Sequence, residues 1–164
     1  MENYKMPDII KNVREVDDEL IGDIYFSLFK QQIELTFFDG CTEYAVSCVN
    51  YLNELNDKII EALCLASIRY CNTYLAYEGE PQKQFDEVKD VLKLIQPRWM
   101  WITDEHERFN SPIVSLELEC DWEPEHGLEW LIYENKVLYV RPHLGADPDY
   151  DFESEHLENY APSH

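Results

Sequence analysis

Apolar and polar residues alternate with a period of two toward both ends of this chain, and with a helical period in its middle. Ile24, Phe26 and Leu28 alternate with Tyr25, Ser27 and Phe29. After Lys30-Gln31-Gln32, Ile33, Leu35 and Phe37 alternate with Glu34, Thr36 and Phe38. Successive strand side chains point to opposite faces, so this pattern, rich in β-branched and aromatic residues, predicts an early hairpin closed by Asp39-Gly40. From Cys41 to Tyr77 the spacing changes. Tyr44, Cys48, Tyr51, Leu52 and Leu55, then Ile59, Leu63, Ala66, Tyr70 and Tyr74, recur at three and four residues. Asn53-Glu54-Leu55-Asn56-Asp57 holds poor helix formers and a good N-cap at Asn56, which predicts two consecutive helices, with one long helix as the alternative. Glu78-Gly79-Glu80-Pro81 stops the pattern.

A shorter amphipathic helix is expected next, with Phe85, Val88, Val91, Leu92 and Ile95 on one face, ending before Pro97. Trp99-Met100-Trp101-Ile102 reads as an aromatic strand, and Asp104 to Pro112 as a polar loop. From Ile113 to Cys120 the alternation is strict: Val114, Leu116, Leu118 and Cys120 face one way, and Ser115, Glu117, Glu119 and Asp121 the other. Leu128–Tyr133 and Val137–Val140 form a hairpin around Glu134-Asn135-Lys136. Strands at both ends and helices between them predict an α+β domain over residues 1–145. Its expected architecture is an antiparallel sheet, the early hairpin plus the late strands, with the central helical segment packed on one face. Residues 146–164 lack periodicity and are expected to form an acidic, loosely ordered tail.

Charge changes this picture more than composition does. The 164 residues carry 34 Asp and Glu against 13 Lys and Arg, a formal net charge of -21. Residues 1–103 hold 18 acids and 10 bases, whereas residues 104–164 hold 16 acids and 3 bases, and no Lys or Arg follows Arg141. Such a field repels nucleic acid and anionic membrane, and it steers basic partners inward. No apolar run is long enough to span a bilayer, and Met1–Asp8 shows no basic segment leading into an apolar one, so a cytoplasmic setting is expected. Four of the five cysteines fall as Cys41/Cys48 and Cys64/Cys71. Seven residues of helix separate such thiols by roughly 10 Å, too far to bridge, so buried, reduced side chains are expected.

Candidate chemistry is sparse. His106 lies in Asp104-Glu105-His106-Glu107 and His126 follows Glu125, but neither has a spacing that puts two imidazoles on one ion. No metal and no cofactor is expected. Carboxylate pairs suited to acid–base work can be nominated almost anywhere in so acidic a chain, and no Gly-rich phosphate loop or basic, aromatic patch is present. No catalytic residue is therefore assigned.

The segment Asp121-Trp122-Glu123-Pro124-Glu125-His126-Gly127-Leu128 stands apart. Trp122 can fold onto the sheet, His126 can bond backbone groups the turn leaves unpaired, and Gly127 can supply a positive φ, so these three are read as a structural turn. The carboxylates Glu117, Glu119, Asp121, Glu123, Glu125 and Glu129 gain nothing from crowding one another. They are read either as solvated or as a face for a cationic partner.

This segment resembles the Asp-Trp-x-x-Glu-His-Gly-Leu signature of an uncharacterised bacterial domain family, over roughly residues 20–145. Its members are similar in size and setting to small acidic immunity proteins of polymorphic-toxin and contact-dependent growth inhibition systems. The resemblance implies a cytoplasmic, non-enzymatic protein that binds and neutralises a cognate toxin domain, a basic partner with possible nuclease activity. It carries over no catalytic residues. Two alternatives stay open: a metal-dependent or acid–base hydrolase using His106, His126 and nearby acids, or a plain structural module.

Overall fold

In the computed structural model, which describes residues 8–102, 110–143 and 159–162, the described residues form one seven-stranded, mostly antiparallel sheet with helices. The strands are β1 (Lys11–Val16), β2 (Glu19–Phe26), β3 (Gln31–Phe38), β4 (Ile95–Trp101), β5 (Ile113–Cys120), β6 (Leu128–Tyr133) and β7 (Lys136–Arg141), and they lie side by side in chain order. Between β3 and β4 run α1 (Thr42–Asn53), α2 (Asp57–Tyr77) and a 3-10 helix (Val88–Leu94). The architecture is mixed α+β.

The expectation of a wholly antiparallel sheet is corrected at one pair. β3 and β4 run parallel, with Glu34 opposite Trp99 and Thr36 opposite Trp101. Three helical segments intervene and return the chain to the end where β3 began, and such a crossover joins parallel strands. Pro97 is tolerated inside β4 because the pairing with β3 spans only residues 99–101, and the β5 side has a register shift between Pro97 and Trp99.

β1 was not legible in the pattern. Five of its six residues are exposed, so no apolar face is written into it. It pairs with β2 through a tight turn in which Asp17 and Asp18 both take positive φ, 51° and 68°. Conversely, the helical break is where the caps put it: the Asn56 side chain accepts from the Ile59 amide at 2.9 Å. Asn53, at the end of α1, holds the β2–β3 turn through the Ser27 amide and the Tyr25 carbonyl, both at 2.8 Å. The expected third helix is shorter than its apolar spacing suggests, because Ile95 already belongs to β4.

The main core lies between the helices and the sheet residues Ile24, Leu35, Leu116, Trp130 and Val140. Burying side chains of this size contributes about 2 kcal/mol each. Trp130 is fully buried and its indole donates to Ser67 Oγ of α2 at 3.0 Å, so its polar edge is satisfied. Ile113, Leu131 and Tyr139 form a separate apolar cluster. All five cysteines are buried. Burial pushes the thiols of Cys64 and Cys71 up to about 11 and that of Cys120 to about 12, so they are protonated and inert at neutral pH.

Within the stretch expected to be a loose tail, Asn159–Pro162 are docked. The Tyr160 amide donates to the Val140 carbonyl at 2.8 Å. The Asn159 side chain accepts from the Val140 amide at 3.1 Å and donates to the Leu138 carbonyl at 2.9 Å. These bonds pair backbone groups on the outer edge of the last strand, and Arg69 of α2 clasps the Tyr160 carbonyl from its other side. Among the described residues, no helix is long and apolar enough to cross a membrane.

Candidate functional site

The turn between β5 and β6 is built around one carboxylate. Glu123 is 5% exposed, and its two oxygens accept from the Glu125 amide at 3.0 Å and the His126 amide at 2.8 Å. The His126 Nδ1 lies 3.1 Å from the same oxygen that takes the His126 amide. A carboxylate that accepts backbone N–H groups at the start of a tight turn satisfies donors that the turn would otherwise leave bare. The capping role expected of His126 is thus taken by Glu123, and the imidazole, largely exposed, rests against it.

The rest of the turn follows from this anchor. Gly127 has φ +68° and donates to the Glu123 carbonyl at 3.1 Å. Trp122 is buried edge-on against Tyr70 of α2, with ring centroids 5.5 Å apart. The Tyr70 hydroxyl donates to the Gly127 carbonyl at 3.2 Å, tying the turn to the helix.

The six carboxylates read as one acidic face do not form one. Glu123 is inside the turn. Glu129 is 1% exposed and meets Arg141, 0% exposed, with Nε to Oε2 at 3.0 Å across the β6–β7 pair. Glu119 is exposed but bound to Arg98 at 2.7 Å, and Glu117 is half-buried, opposite Glu129 and 4.0 Å from His143 Nδ1. Asp121 and Glu125 are exposed. The burial of Glu123 and Glu129 is a correction with a local cause: each carboxylate has donors within reach that alternation alone does not reveal.

Around the turn the fold assembles residues that the sequence reading placed elsewhere or did not single out. Tyr70, Tyr74 and Tyr77 project from successive turns of α2, and Tyr160 packs on Tyr70 at 5.1 Å between centroids. With Glu123, Glu125 and His126 they line a cavity of about 310 Å³. The sequence signal for this existed in the i, i+4, i+7 spacing of the three tyrosines, but the first two read as core. His106 lies outside the described residues. Among the described residues, Glu123, Glu125 and His126 bring one potential metal-ligand atom each to within 4.8 Å of one another. Glu123 already spends both oxygens on backbone amides, so the donor set fits a cation poorly.

Comparison with curated proteins and with solved structures gives no match. The family described as "Domain of unknown function (DUF6985)" matches residues 10–146, which takes in every strand of the described residues and none of the segment docked at 159–162. The chain belongs to the DUF6985 family.

Proposed function

We propose that this protein is a cytoplasmic, non-enzymatic immunity protein that binds and neutralises a cognate basic toxin domain. The observation that carries the reading is the net charge of the last third, with 16 acids against 3 bases over residues 104–164. Arg141, one of those three bases, is buried against Glu129 and so does not offset the surface acids. Exposed carboxylates at Glu119, Asp121 and Glu125 surround the signature turn, and Glu117 stands at its margin. Such a surface steers a basic partner and forms charge-assisted hydrogen bonds with its Arg and Lys.

The test is co-expression with a toxin domain encoded beside it, followed by binding at low salt. Replacing Glu119, Asp121 and Glu125 together by Gln, Asn and Gln is expected to slow association about tenfold at low salt, with little change at high salt. An unchanged on-rate moves the interface elsewhere, and absence of binding or protection ends the reading. Glu123 and Glu129 are left intact because altering them perturbs the fold and not only the surface.

The hydrolase alternative draws on the approach of Glu123, Glu125 and His126. It requires Glu123 to release the turn. Added Zn²⁺ or Mn²⁺ is expected to leave the melting temperature unchanged; a rise of several degrees that His126→Ala removes would favour the metal reading instead.

A further inference from the structure

The groove between the end of α2 and the signature turn has a chemistry more specific than acidity. Its walls are aromatic, with Tyr70 at the buried end, Tyr74 half-buried and Tyr77 at the mouth, and Tyr160 closing one side. Tyr77 is 86% exposed, and an aromatic ring so open at a groove contributes little to folding. Two carboxylates, Glu123 and Glu125, face the same space, and no Lys or Arg is among its described lining residues. Ring faces and carboxylates both favour a cation.

We propose that this groove receives an arginine side chain of the basic partner, its guanidinium stacked on Tyr74 and Tyr77 with Glu125 as counter-charge. The inference rests on the reading of a basic partner and names the contact it makes. A planar, weakly hydrated guanidinium stacks on aromatic faces and forms forked bonds to a carboxylate, which a compact, strongly hydrated ammonium does less well. About 310 Å³ suits a single long side chain, not a peptide segment. The carboxylates of the groove also bear on its phenols, after burial. Burial raises the Tyr74 phenol first, and Glu78, Glu123 and Glu125 raise it further. The Tyr70 phenol is raised by burial, then by Cys120 and Glu123.

The probe is N-acetyl-arginine methylamide, with the citrulline analogue as its uncharged isostere, titrated into the whole protein while aromatic ring resonances are followed by NMR. The expected result is saturable shifts at Tyr74, Tyr77 and His126 with a roughly millimolar Kd, and binding of the citrulline compound at least about tenfold weaker. Tyr77→Ala and Glu125→Gln, both at exposed positions, are each expected to weaken arginine binding severalfold while ring shifts elsewhere stay native. Equal binding of the two compounds, shifts that do not saturate, or affinity unchanged in both variants overturns the proposal. Since the probe involves no toxin, the two readings fail separately. A groove blind to arginine in a protein that still protects against its toxin overturns this inference alone. Arginine binding without protection supports the groove and overturns the immunity reading.

Discussion

Replacing Arg141 with Met is expected to destabilise the protein by about 3–5 kcal/mol, a large share of the stability of an ordinary domain. The arginine is fully buried on β7, with Nε 3.0 Å from Glu129 Oε2 on β6 and its guanidinium carbon 4.8 Å from the centroid of the Tyr139 ring. Removing the cation leaves the Glu129 carboxylate, 1% exposed, without that partner in a region where water cannot replace it. Glu129→Leu is expected to cost a similar amount for the mirror-image reason. The double variant should cost clearly less than the two single changes added together, because well-packed apolar groups need no partner. Urea unfolding midpoints of the four proteins measure this. Additive losses would show that the two charges do not stabilise each other.

Gly127→Ala is expected to cost about 2–5 kcal/mol, through two separate effects. At φ +68° an L-residue with a Cβ is strained. The Cβ would also lie 2.5 Å from the Leu118 carbonyl oxygen, a backbone atom in the neighbouring strand that no rotamer change can move. Gly40 is the internal control: its φ is +90°, yet a Cβ there meets nothing within 4 Å, so Gly40→Ala should show the strain without the clash. Equal losses at the two glycines would mean that close packing of the signature turn against β5 does not matter. Thermal or urea unfolding with unchanged slope distinguishes the outcomes. The signature glycine therefore serves the approach of two strands as much as the turn.

Local periodicity made much of the fold readable. β5 occupies the residues its alternation marks, and α1 and α2 break at the Asn56 cap because that cap is a bond between residues three apart. β1 was unreadable because an edge strand exposed along its length has no apolar face to write into the sequence. Pro97 read as the end of a helix, whereas the chain is already in β4 from Ile95, and only the short pairing with β3 makes room for a proline there. At the site, the carboxylates were visible as residues but not as environments. Glu123 and Glu125 look alike in sequence; one is enclosed by amides from its own turn and the other is in solvent.

By itself the sequence determined most of the elements, the acidic balance and the existence of a special turn, since these follow from residue type and from spacings of a few residues. The tertiary structure decided which acids reach the surface, through partners such as Arg141, 12 positions from Glu129. It also decided that Tyr70, Tyr74, Tyr77 and Tyr160 meet Glu123 and Glu125 around one groove. Such meetings depend on how the strands pair and where α2 docks, and no local pattern encodes the contact of a helix with a turn 57 residues away.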